Sequence, residues 1–160
     1  MIRITRLIDG AISGLIATVP MTLIMHGGHR MLPRREQYPL PPSEIVQVLG
    51  EEVGIEQQIS EDQHVAVSLV AHFAYGTTAG AMYAPTLSKL PLPAIISGIA
   101  YGLLVWAASY LGWLPAVGIL RPATEHPQGR NALNVGSHIV WGAVLGLLYD
   151  RIRHHRLTTR

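Results

Sequence analysis

The sequence predicts an all-α membrane protein: a four-helix bundle made of two tandem helical hairpins, related by a pseudo-twofold axis along the membrane normal. Only 14% of its 160 residues are charged and 49% are hydrophobic, whereas about a quarter of the residues in a soluble domain are charged. Four apolar runs lie at 7–25, 65–84, 94–116 and 132–149. Each is close in length to the roughly 20 helical residues needed to cross a hydrocarbon core. We therefore expect a single transmembrane domain over 1–160, with helices at about 5–29, 64–87, 93–114 and 131–152.

The first apolar run is predicted to be a retained helix, because it is too long for the core of a signal peptide and no A-x-A cleavage site follows it. Lys and Arg are more numerous on the side that holds both chain ends, seven against five, and the tail "RIRHHRLTTR" contains no acid. The positive-inside rule then places both termini in the cytoplasm. Because such anchors account for the net charge of +2, we expect no nucleic-acid partner.

The longest connection, at 30–63, lies on the outer side in this topology. Ser43 follows Pro41 and Pro42 and can N-cap a short helix at about 43–50 with apolar residues on one face. We expect this helix to lie on the membrane surface or to cap the bundle. Loops of this length without a function are uncommon.

Two of the apolar runs share one pattern. The stretches "AHFAYGTTAGAMY" (71–83) and "SHIVWGAVLGLLY" (137–149) both contain H-x-x-[YW]-G-x-x-x-G-x-x-Y, and one turn upstream Ser68 corresponds to Asn134. At about 100° per residue, the histidine, the glycines and the last tyrosine form one stripe on each helix. The first and third helices also carry G-x-x-x-G, a spacing that lets helices approach closely in lipid. The predicted helix-packing glycines are Gly10, Gly14, Gly76, Gly80, Gly98, Gly102, Gly142 and Gly146.

The two histidines of the stripes lie at the same depth, on the order of 12 Å inside the membrane at ~1.5 Å per helical residue. A charged group that faces lipid there costs roughly 2.5 kcal/mol or more, so we expect both imidazoles to face inward and to be largely neutral. The simplest interpretation is interhelical hydrogen bonding, at about 0.6 kcal/mol per pair. The alternative is an outward-facing pocket for a proton or a small ligand, whose predicted residues are His72, His138, Tyr75, Trp141, Asn134, Ser68 and Tyr101.

Two cofactors are also considered. A divalent metal would use imidazole and carboxylate ligands, and the candidates are His26, His29, His72, His138 and Glu125. A b-type haem would lie between His72 and His138 and give an electron-transfer protein, although the same glycines could instead close the helices together. Covalent c-type haem is excluded, because the sequence contains no cysteine. An enzymatic function is the least supported, since no Ser/His/Asp pattern, metalloprotease motif or phosphate loop occurs.

The segments "HFAYGTTAGAMY", "YGLLVWAASYLGWLPAVGI", "HIVWGAVLGLLYD" and "LPPSEI" resemble a family of uncharacterised bacterial membrane proteins related to the YagU-like inner-membrane proteins. The resemblance covers about residues 20–150. It implies an inner-membrane helical bundle of unassigned biochemistry, with a link to acid resistance in the YagU branch, and it supplies no catalytic residues. The expected partners are the lipid bilayer and either a second copy of the chain or a larger membrane complex to which this protein is an accessory subunit.

Overall fold

The computed structural model describes residues 4–54 and 60–158, and these residues form helices and no strand. Four helical segments are long and apolar enough to cross a membrane: Ile4–Met31, Glu61–Lys89, Ala94–Ala116 and Gln128–Arg156. The all-α fold and the four helices of membrane-spanning length that the sequence predicts are therefore confirmed.

The chain forms six α-helices in the described residues: α1 (Ile4–Met31), α2 (Pro41–Glu52), α3 (Glu61–Tyr83), α4 (Ala94–Ala107), α5 (Leu114–Ala116) and α6 (Gln128–Thr158). A π-helical turn, Ala108–Trp113, joins α4 to α5. A capping box formed by Ser60 and Gln63 starts α3. In α2 the N-cap position belongs to Leu40, and Ser43 lies inside the first turn, because the fixed φ of Pro41 suits the first helical position.

The first hairpin consists of α1 and α3, which run antiparallel with their glycines in contact. Gly10 and Gly14 of α1 lie against Gly76 and Gly80 of α3. A Cβ atom on Gly80 would stand 2.5 Å from the carbonyl oxygen of Gly10 and 2.6 Å from the Cα of Gly14. Only a residue without a side chain permits this distance between two helix backbones.

The second hairpin consists of α4 and α6 and has the same construction, displaced by one helical turn. A Cβ atom on Gly142 would stand 2.9 Å from the carbonyl carbon of Gly98. Gly102 lies against the carbonyl oxygen of His138, one turn before the glycine that an undisplaced repeat would place there. The glycines of each G-x-x-x-G therefore contact the other helix of the same hairpin.

The two hairpins meet unequally. α1 packs along α6, whereas α3 and α4 make few backbone contacts. A twofold axis would make these two contacts equivalent, so this is where the repeats depart from symmetry. Three tyrosine hydrogen bonds join α3 to α4 or to the π turn instead: Tyr83 to Ser97 at 2.6 Å, Tyr101 to the carbonyl oxygen of Ala79 at 2.7 Å, and Tyr75 to Ser109 of the π turn at 2.8 Å.

The connection that contains α2 is fixed to the start of α6. Arg130 forms an ion pair with Glu44 of α2, and its guanidinium lies over the ring of Tyr38, 5.6 Å from the ring centre. The backbone N–H of Gly129 donates to the Glu36 carboxylate at 3.1 Å. We call this end of the bundle the α2 end. At the opposite end, Arg156 of α6 forms an ion pair with the buried Asp9 of α1 at 2.9 Å.

Candidate functional site

The sparse contact between α3 and α4 leaves a cavity toward the α2 end, which we call the gap cavity. Its volume is about 210 Å³. Side chains of α1, α2, α3, α4, the π turn, α5 and α6 all contribute to its wall. The lining residues are Thr18, Met21, Pro42, Ile45, Ala71, His72, Tyr75, Gly76, Ala79, Val105, Ser109, Tyr110, Trp113, Leu114, His138 and Trp141.

The gap cavity has both histidines of the repeated stripe in its wall. The Nε2 atom of His72 is buried and has no hydrogen-bond partner among the residues that the structure describes. His138 is 4% exposed, and its Nδ1 lies 2.8 Å from the carbonyl oxygen of Asn134. Because a carbonyl only accepts, Nδ1 of His138 carries the hydrogen, and Nε2 is the acceptor of the neutral ring. A buried polar atom without a hydrogen-bond partner costs free energy. His72 can therefore donate to or accept from a ligand without giving up an existing hydrogen bond of Nε2.

Four other polar side chains in the wall, those of Thr18, Tyr75, Ser109 and Trp141, are already paired. Tyr75 and Ser109 share a hydrogen bond across the gap. Thr18 donates to the carbonyl oxygen of Gly14 at 2.8 Å and accepts from the indole N–H of Trp141 at 3.3 Å. The described residues that line the gap cavity include no Asp, Glu, Lys or Arg. The cavity therefore suits a neutral, mostly apolar molecule with one hydrogen-bonding group.

The π turn sets the part of the wall opposite α3. It contains Ser109, Tyr110 and Trp113, all of which line the cavity, and the edge of the Tyr110 ring packs on His138 with the ring centres 5.8 Å apart. Such turns are frequent at functional sites. Neither Ser109 nor Thr18 belongs to the predicted pocket. In the sequence this turn is marked only by two polar residues, Ser109 and Tyr110, shortly before Gly112 in "ASYLGW".

A second cavity, the loop cavity, lies between α1, α2 and α3 and has a volume of about 270 Å³. Pro42 and His72 line both cavities, so the two spaces share a wall. The other residues that line the loop cavity are Thr22, Met25, His26, His29, Leu40, Ser43, Val65, Ser68 and Leu69.

The structure brings four of the seven predicted pocket residues to the gap cavity: His72, Tyr75, His138 and Trp141. Ser68 lines the loop cavity and donates to the carbonyl oxygen of His64. Asn134 is buried and lines a third void of about 10 Å³. Tyr101 packs in the core, where its ring stacks on Trp141 at 6.1 Å.

The candidate metal ligands are spread over the α2 end. His26, His29 and His72 line the loop cavity and His138 lines the gap cavity. Glu125 is exposed in a 3₁₀ turn, Ala123–Glu125. Within residues 4–54 and 60–158, no three His, Cys, Asp or Glu side chains form a group that could hold a metal ion.

The surface of the four long helices is itself apolar, as Val70 (70% exposed) and Leu23 (68% exposed) illustrate. Contiguous apolar surface of this extent is typical of contact with lipid or a partner. Fold and surface together define the class: a small helical bundle of the membrane-protein type, with a ligand-sized cavity inside it.

The chain belongs to the family described as Protein of unknown function (DUF1440), whose model matches residues 12–147. Membership of an uncharacterised family, which the sequence motifs imply, is thereby confirmed. No curated protein matches the chain. No solved structure matches it either.

Proposed function

We propose that this protein binds a small, neutral, mostly apolar molecule in the gap cavity, and that His72 hydrogen-bonds the polar group of that molecule. The observation that carries this proposal is that His72 lines the gap cavity and that its buried Nε2 atom has no hydrogen-bond partner within the described residues. A dry cavity of about 150 Å³ accommodates one benzene ring. The 210 Å³ of the gap cavity therefore corresponds to one substituted ring or a short acyl chain.

We also propose a cellular location and an orientation in the membrane for this protein. We infer a bacterial inner-membrane protein with both termini in the cytoplasm, so that the α2 end faces outward. The excess of basic residues beside the chain ends supports this orientation. The resemblance of the motifs to those of YagU-like proteins supports a role in acid stress, in which His72 and His138 would be the groups that respond to protons.

Binding is tested with 4-bromophenol, because Trp113 and Trp141 line the gap cavity and a heavy atom nearby quenches their fluorescence. We expect saturable quenching of the purified protein, and weaker binding of bromobenzene, which lacks the hydroxyl. His72→Phe keeps an aromatic ring but removes Nε2, so 4-bromophenol should bind about 2–10-fold more weakly, which corresponds to the loss of one neutral hydrogen bond.

The matched control is His26→Phe, since His26 lines only the loop cavity. This variant should bind 4-bromophenol as the unmodified protein does. Circular dichroism of all three proteins checks that each is folded. Quenching that does not saturate, or that His72→Phe and His26→Phe weaken equally, would refute the proposal.

Haem b, a divalent metal and an accessory role in a larger complex stay predictions. The glycines that would admit a porphyrin face are in contact with other parts of the bundle: Gly76 lies against Thr18, and Gly142 lies against Gly98. For this reason we base the proposal on an organic ligand. An absorbance spectrum of the purified protein before and after dithionite reduction, with elemental analysis, tests both cofactors. A Soret band would establish haem instead.

A further inference from the structure

We propose that the ligand of the gap cavity is dissolved in the membrane and enters sideways between α3 and the π turn, and that the hydrogen bond between Tyr75 and Ser109 is the latch of this entrance. This inference rests on the proposed function and specifies its ligand class: a neutral molecule that partitions into lipid. It follows from the exposure of the cavity wall, the closure of the other sides, and the position of one hydrogen bond.

The exposed residues of the cavity wall lie on one side. Tyr75 is 44% exposed, Trp113 is 45% exposed and Ala71 is also exposed. All three belong to segments long and apolar enough to cross a membrane, where exposed side chains face lipid. The opening of the gap cavity therefore lies at the lipid-facing side of α3 and the π turn.

The side toward α1 and α6 is closed by helix packing. His138 and Trp141 are 4% and 2% exposed, and Met21 is 5% exposed. The hydrogen bond from Trp141 to Thr18 joins α6 to α1 at the back of the cavity.

The end toward water is closed by α2. Pro42 and Ile45 of α2 belong to the cavity wall. The ion pair between Glu44 and Arg130 fixes α2 to α6, and the Arg130 side chain is only 9% exposed. Access from water would require this ion pair to open, whereas access from lipid would not.

The hydrogen bond between Tyr75 and Ser109 crosses the opening itself. Tyr83 and Tyr101 make the two tyrosine bonds between α3 and α4, but they are 2% and 5% exposed and do not belong to the described wall of the gap cavity. Only the bond between Tyr75 and Ser109 joins two residues of that wall on opposite sides of the gap. Breaking it widens the entrance without disturbing the core.

The absence of cysteine from the sequence gives a direct assay. Val105→Cys places one thiol in the gap cavity wall and makes the side chain no larger. The protein is reconstituted in phosphatidylcholine vesicles, and the labelling rate is measured with N-phenylmaleimide, a neutral single-ring reagent that enters lipid, and with a maleimide that carries a sulfonate and stays in water.

We expect N-phenylmaleimide to label Val105→Cys faster than the sulfonated reagent does, after each rate is normalised to a free thiol. Adding Tyr75→Phe should raise the rate with N-phenylmaleimide about 2–10-fold, because one neutral hydrogen bond no longer holds the entrance closed. The matched control is Tyr83→Phe, which removes a tyrosine–serine bond between α3 and α4 away from the cavity and should leave the rate unchanged.

Glu44→Gln separates the two routes, since it loosens α2 and leaves the latch intact. Faster labelling by the sulfonated reagent in Glu44→Gln, with no effect of Tyr75→Phe, would overturn the inference in favour of access from water. Equal effects of Tyr75→Phe and Tyr83→Phe would overturn the latch. Because labelling needs no reversible binding, a result in which 4-bromophenol fails to bind but Tyr75→Phe still accelerates labelling would refute the proposed ligand and retain the entrance.

Discussion

Replacing Gly142 with alanine should weaken the second hairpin, and the structure sets the size of the effect. The new Cβ atom would collide with the carbonyl oxygen of Gly98 and stand 2.9 Å from its carbonyl carbon and 3.1 Å from the Cα of Ile99. Ordinary contacts begin at 3.4 Å, and backbone atoms cannot rotate away as a side chain can. α4 and α6 would have to separate by about 1 Å, and overpacking of this kind costs about 1–3 kcal/mol.

The matched control is Gly136→Ala in the same helix. No neighbouring part of the described structure lies within 4 Å of a Cβ placed on Gly136, so this substitution should not destabilise the protein and should gain up to about 1 kcal/mol from the higher helix propensity of alanine. The assay is reversible unfolding of both variants by dodecyl sulfate in mixed micelles, followed by circular dichroism. If Gly142→Ala is as stable as Gly136→Ala, then α4 and α6 do not approach each other at Gly142, and the explanation of the hairpin is wrong.

Two ion pairs give further predictions, both measured by the same unfolding assay. Glu44→Gln should destabilise the protein by about 1–3 kcal/mol, because Arg130 is left almost buried without its counter-charge. The control Glu52→Gln, at an exposed position, should have no measurable effect. Equal effects of the two substitutions would show that the ion pair is not buried in the membrane protein. Arg156→Gln should destabilise the protein because it leaves the buried Asp9 unpaired. Adding Asp9→Asn should recover part of this loss of stability in the double variant. A double variant less stable than either single variant would contradict the ion pair.

The sequence predicts the four spanning helices and the faces of two of them, but not which faces meet. Length and composition determine a spanning helix, and the stripe in α3 and α6 follows from residue spacing alone. The contacts made by Gly76 and Gly80 do not follow from spacing, because every long helix offers a G-x-x-x-G of the same chemistry. Chain connectivity does not select the partner either: α4 follows α3 more closely in the sequence than α1 precedes it, yet α1 takes the glycine face of α3.

The structure brings some of the predicted pocket residues together and separates others. His72 and His138 occupy corresponding positions of the two stripes, and both line the gap cavity. Tyr101 was expected beside them, yet its hydroxyl reaches the carbonyl oxygen of Ala79. In lipid a tyrosine hydroxyl bonds whichever acceptor its helix neighbour presents, so its direction depends on packing. Ser109 was not expected, because the π turn that aims it at the gap has no strong sequence signature.

The gap cavity exists because the second repeat carries larger side chains than the first at equivalent positions. Aligning the glycines of α1 with those of α4 matches Ser13 with Tyr101 and Ala17 with Val105. Ser13 and Ala17 are 0% exposed, and such small residues permit the close packing of α1 along α6. Tyr101 instead spans from α4 to the carbonyl oxygen of Ala79 in α3, and a bond through a whole phenol ring holds these helices further apart. A duplicated hairpin with identical contacts on both sides would close the bundle completely, so the departure from symmetry at these positions is what leaves room for a ligand between α3 and α4.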